Sequence, residues 1–128
     1  MTDVDPDRNV VITNGAMETL TASFLTLLEP NDEVIIPAPY FSAYADELAI
    51  AGAALVPVTT KMEDGFRLHV EDLKRVRTSK TKAILLNSPN NPSGAVLTRE
   101  NLEEIAAFAI ENDLWVISDE CYEKFLYD

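Results

Sequence analysis

Short apolar runs alternate with helix-patterned stretches along the whole chain, and this alternation limits the fold more than any other feature. Residues 10–13, 33–36, 54–58, 82–86 and 115–118 are β-branched or aliphatic runs of strand length. Between them, Met17, Leu20, Phe24, Leu27 and Leu28 recur at helical spacing and predict a helix over 16–29, closed by Pro30-Asn31-Asp32. An alanine-rich helix is expected over 42–51, with Tyr44 and Leu48 on one face and Gly52 as its stop. A short helix of mixed charge is expected over 70–76. Thr98 caps another helix, which carries Leu102, Ile105, Ala106 and Ala109. Pro57 marks the third run as an edge strand. Strands alternating with helices imply an α/β architecture with a mostly parallel sheet. Right-handed crossovers then bring the carboxyl ends of the strands to one rim, where open α/β sheets bind ligands.

Composition removes several classes of function. The net charge of −12 leaves no basic stripe for nucleic acid, and an anionic membrane surface would repel the chain. No apolar run approaches membrane-spanning length, and the polar start lacks the apolar centre of a signal peptide. The single cysteine, Cys121, forms no internal disulfide, which suits a reducing, cytoplasmic setting. One histidine, His69, and one cysteine do not make a metal site; His69 is expected at the surface and Cys121 in packing.

The unusual residues gather at the carboxyl ends of the runs, so a single composite site is expected. Asn14-Gly15-Ala16-Met17 opens a helix directly after the first run, and free backbone N–H groups there attract anions, phosphate above all. Tyr40 and Phe41 stand in a loop stiffened by Pro37 and Pro39, where an aromatic ring can cover a flat heterocycle. Asn90 and Asn91 lie in a loop with two prolines and can donate to an oxygen. Asp119 closes the last run, with Tyr122 three positions on. Each cluster alone has an ordinary structural explanation: a strand-to-helix turn, aromatic packing, an asparagine turn, a helix cap. Together, a phosphate binder, an aromatic cover, an oxygen donor and a carboxylate for a ring nitrogen describe pyridoxal phosphate, whose electron-sink chemistry needs a protonated ring nitrogen.

These segments, 13–18, 37–41, 87–94 and 118–122, resemble in order and spacing the class I/II aminotransferases of pyridoxal-phosphate fold type I, nearest to the aspartate and aromatic subgroup. The resemblance covers essentially the whole chain. It implies a three-layer α/β sandwich, of which residues 1–128 would be an incomplete cofactor-binding large domain without the small domain. It also implies a role for each matched position. The backbone of Gly15, Ala16 and Met17 would hold the cofactor phosphate. Phe41 would stack on the pyridine ring, where relatives often have Trp or Tyr. Asn91 would bond the ring 3-oxygen near the substrate carboxylate. Asp119 would pair with the ring nitrogen, and Tyr122 would donate to the 3-oxygen.

The resemblance also implies what is missing. The family's Schiff-base lysine follows the Asp-x-x-Tyr motif, and none of Lys61, Lys74, Lys80, Lys82 or Lys124 stands in that context. The substrate-carboxylate arginine and the N-terminal segment are likewise missing, so no catalytic residue is assigned and the isolated chain is expected not to transaminate. The parent would transfer an amino group between an amino acid and a 2-oxo acid, as a homodimer. A lyase or ACC-synthase-like enzyme of the same fold, or a non-catalytic effector-sensing module, remains the alternative. The later strands of the family's sheet normally separate the first run from the fifth, so residues 10–13 are expected to lose their usual neighbour and to be left detached, to re-pair, or to associate with another copy through exposed edges.

Overall fold

The structure, a computed structural model, describes residues 4–127. The first three residues of the polar start therefore lie outside the described residues. Four strands, β1 (Glu33–Ala38), β2 (Ala54–Thr59), β3 (Thr81–Asn87) and β4 (Trp115–Asp119), form one sheet in the order β2-β1-β3-β4. Every neighbouring pair is parallel. Helices α2 (Ala16–Leu27) and α3 (Ala43–Ile50) cover one face, while α4 (Val70–Val76) and α5 (Arg99–Glu111) cover the other. The result is a three-layer α/β sandwich. α1 (Pro6–Asn9) is a single turn started by Asp5, whose side chain accepts from the Asp7 N–H, and by Pro6 at the first helical position. Among the described residues, no helix is long and apolar enough to cross a membrane.

The two cores follow from the two-residue period of a strand. Val34 and Ile36 of β1 and Ala83 and Leu85 of β3 meet Leu20, Phe24, Tyr44 and Leu48. Ile35, Ile84 and Leu86 point the other way, to Leu73, Ile105 and Phe108. Strands buried on both faces read as continuous apolar runs, which is why β1 and β3 were legible. Burying one such aliphatic side chain contributes about 1.5–3 kcal/mol. Pro57 does lie on an edge strand, because β2 pairs only with β1. Thr98 caps α5 as expected, its hydroxyl accepting from the Asn101 N–H at 3.2 Å. Gly52, with φ +72, ends α3.

One expected strand is absent. Residues 10–13 form no part of the sheet, and Val11 and Ile12 are 82% and 90% exposed. β-branched side chains favour an extended backbone, but a strand also needs an edge to pair with. The outer strands of this sheet are β2 and β4, and neither receives the segment.

The order of the strands creates a crevice. The chain leaves β1 towards β2 through α3 on one face, and leaves β3 towards β4 through α5 on the other. The loops after β1 and β3 therefore diverge, and an open α/β sheet binds ligands at such a reversal.

Candidate functional site

At the carboxyl rim, one cleft of about 200 Å³ is lined by Ala16, Met17, Leu20, Phe41, Tyr44, Asn91, Asp119, Cys121 and Tyr122. Four segments distant in sequence contribute to it. Six of the seven positions singled out from the sequence are in its lining; the seventh, Gly15, is the N-cap of α2 immediately beside it.

Gly15 has φ +84 and ψ 172, a conformation that L side chains rarely adopt. The cap offers no side-chain hydrogen bond to the first turn of α2. The local turn is held instead by Thr13, whose hydroxyl donates to the Gly15 carbonyl at 3.0 Å and lies 2.6 Å from the Thr19 hydroxyl. Glu18 accepts from the backbone N–H of Asn14, just outside the helix. The first N–H groups of α2 have no side-chain cap, and Ala16 and Met17 of that turn line the cleft, an arrangement suited to an anion.

Asp119 is the last residue of β4 and the best-supported polar group of the cleft. Its Oδ2 accepts from the Tyr44 hydroxyl at 2.6 Å, and its Oδ1 from the Cys121 N–H at 3.1 Å. Tyr44 is 1% exposed. Burial, followed by the hydrogen bond to Asp119, raises its phenol well above the ordinary value, so it remains a donor throughout the usual pH range. A carboxylate has about four acceptor positions, so Asp119 keeps capacity for a further donor from the cleft. Phe41 packs edge-on against Tyr44, with ring centroids 5.7 Å apart and planes at 89°, and is 37% exposed. Asn91 Nδ2 donates to the Tyr122 hydroxyl at 3.4 Å, which brings the two expected oxygen-binding groups side by side.

Sequence reasoning missed part of this arrangement. Tyr44 was placed on an apolar helix face, where its ring does pack, but its hydroxyl belongs to the site. The signal was its position three residues beyond Phe41, on the face of α3 turned towards the strand ends. Cys121, expected in packing, is exposed and lines the cleft instead. It lies two residues beyond the end of β4, in a turn. Hydrogen bonding to Asp119 first, then burial, raises its thiol above the usual range. His69 is at the surface as expected, half-exposed and bonded to Asp64. No lysine lines the cleft. No group of three metal-ligating side chains occurs among the described residues.

The family model for aminotransferase class I and II matches residues 1–128. The chain belongs to this family. It is 48% identical over 126 residues to the aromatic-amino-acid aminotransferase 2 of Thermococcus litoralis, covering 98% of this chain and 32% of that protein. Among solved structures, the aspartate aminotransferase of Thermotoga maritima superposes with a TM-score of 0.94 at 40% identity, covering 98% of this chain and 33% of that one. The N-succinyldiaminopimelate aminotransferase of Mycobacterium tuberculosis gives 0.93 at 41% identity, covering 99% and 33%. The chain thus spans about a third of the length of these aminotransferases. The class I and II family is pyridoxal-phosphate-dependent.

The cleft fits that group. It offers uncapped helix N–H groups for a phosphate, a cover ring, two adjoining donors for an oxygen, and a carboxylate with spare acceptor capacity.

Proposed function

We propose that residues 1–128 are the cofactor-binding portion of the large domain of a pyridoxal-phosphate-dependent aminotransferase. The parent would move an amino group between an amino acid and a 2-oxo acid. The observation that carries this reading is the meeting of Ala16, Met17, Phe41, Asn91, Asp119 and Tyr122 in one cleft.

Bound pyridoxal phosphate supplies an electron sink for charge developing at the substrate's α-carbon. The chain's own residues bind and orient. The N–H groups of Gly15, Ala16 and Met17 hold the phosphate dianion at the start of α2. Phe41, packed edge-on against Tyr44, would cover the pyridine face and exclude water from it. Asp119, fixed by Tyr44 and the Cys121 N–H, accepts from the ring nitrogen and keeps a proton there. Asn91 and Tyr122 donate to the 3-oxygen. No lysine lines the cleft for Schiff-base attachment, so in this reading the isolated chain binds without transaminating. The whole enzyme works as a cytoplasmic homodimer in this reading, which the family resemblance and the single thiol support.

Which amino acid is used is set outside these residues. The structural likeness is equally strong to an aspartate aminotransferase and to an N-succinyldiaminopimelate aminotransferase. The test is a titration of the chain with pyridoxal phosphate, followed by absorbance and protein fluorescence, with Asp119→Ala in parallel. Saturable binding that weakens in the variant is the expected outcome. Equal uptake by both proteins, or none by either, removes the reading of this cleft as a self-sufficient cofactor site.

A further inference from the structure

Asn87 lies at the end of β3, 7% exposed, and is absent from the lining of the cleft. Its amide nevertheless touches two residues of the site. Nδ2 donates to the backbone carbonyl of Asp119 at 3.0 Å, and Oδ1 accepts from the backbone N–H of Asn91 at 2.7 Å. Asn87 and Asp119 are also the last register pair between β3 and β4. Where the ladder ends, this side chain continues it. We propose that Asn87 is a positioning residue that fixes the separation of Asp119 and Asn91 through the two ends of one amide.

The proposal rests on the cofactor reading above and deepens it. That reading assigns Asp119 to the ring nitrogen and Asn91 to the 3-oxygen, on different edges of one rigid ring. Their spacing must match the ring, yet they come from different strand ends. Asn87 links the two directly. The Asn91–Tyr122 contact closes the circuit, since Tyr122 follows Asp119 by three residues. The chemistry is specific to a carboxamide, because the site needs one donor and one acceptor on a short side chain. A carbonyl to satisfy on one side and an N–H on the other also fix which way the amide faces. Asn87 itself is buried, so leaving either end of its amide unpaired is destabilising.

Asn87→Asp separates this role from general packing. The substitution keeps the shape and the acceptor. It replaces the donor with an oxygen that, when ionised, faces the Asp119 carbonyl; when protonated, the carboxyl again offers one donor and one acceptor. Asn87→Leu keeps the approximate volume and offers neither. Affinity for pyridoxal phosphate is measured against the native chain at each pH. For both variants the expected affinity is about tenfold weaker, and for Asn87→Asp the loss is expected to shrink as pH falls through the introduced carboxyl's own titration, while for Asn87→Leu it does not. A ratio near one for both variants overturns the proposal.

Amide hydrogen exchange without cofactor supplies a second readout. Asn91 should exchange faster in Asn87→Leu, while Ile84 and Leu85 within β3 keep their protection. Unchanged Asn91 exchange also overturns the proposal. If the native chain fails to take up pyridoxal phosphate saturably, the cleft is not a self-sufficient cofactor site, and the exchange measurement alone decides the role of Asn87.

Discussion

β3 and β4 lie side by side, pair in parallel over five register positions, and each ends in a polar residue of the candidate site or its support. They are held in different ways. Ala83, Ile84 and Leu85 of β3 are 0% exposed, enclosed by helices on both faces. In β4, by contrast, Trp115 is 57% exposed and Val116 42%. Residue type does not explain this, since both are apolar β-formers; position in the sheet does. β3 has a strand on either side and β4 has one. The consequence for the site is that Asn91 extends from a strand anchored by packing, whereas Asp119 extends from a half-covered strand and depends on hydrogen bonds from Tyr44 and Asn87.

This contrast can be broken by experiment. The largest effect is expected from Leu85→Ala, which leaves a cavity in an enclosed core; it should cost about 3 kcal/mol in denaturant unfolding. A loss within error of zero would mean that β3 is not the packed centre described.

A smaller, pH-dependent effect is expected at Glu47, behind Asp119 on α3. Glu47 is 4% exposed, and one of its carboxyl oxygens has no hydrogen-bond partner. Burial chiefly, with Asp119 nearby, raises its pKa above the ordinary 4.5, against a lowering hydrogen bond from Thr21. The folded state therefore holds a proton that the unfolded chain has released. This contribution to stability is present in acid and is lost as pH rises through the raised pKa. Glu47→Gln should thus be more stable than the native chain at neutral pH, with the gap closing towards about pH 4. Parallel unfolding curves for both proteins across pH would show that the carboxyl carries no such load.

The smallest effect is expected from Val116→Thr at the open margin, within about 0.5 kcal/mol. A loss approaching that of Leu85→Ala would show that β4 is covered in solution, and a concentration-dependent loss would identify a second copy as the cover.

The interior strands were legible because burial on both faces leaves an unbroken apolar run, as in residues 33–36 and 82–86. Helix spacing gives α2 to within two residues at its end, and the mixed-charge stretch 70–76 coincides with α4 at both ends. Residues 10–13 misled for the complementary reason: extension is a local preference, while pairing depends on what lies beside the chain in space. α1 carries a start signal in Asp5-Pro6 but is too short to show any apolar spacing. Within the site, Gly15, Phe41, Asn91, Asp119 and Tyr122 stood out by type and by place after an apolar run. Tyr44 and Asn87 did not, because a tyrosine on an apolar face and an asparagine before a proline loop look the same whether or not their polar atoms reach a site residue. Only the fold supplies that distance.

The two margins of the sheet also differ in what they allow. Pro57 removes a backbone donor from β2, which blunts that side as a template, whereas β4 presents its outer groups and Trp115 to solvent. A unit with one receptive side can acquire a neighbour in one direction only. The open margin of β4 is thus the direction in which a longer sheet would be extended, and the proline-blunted margin of β2 is the one at which it would stop.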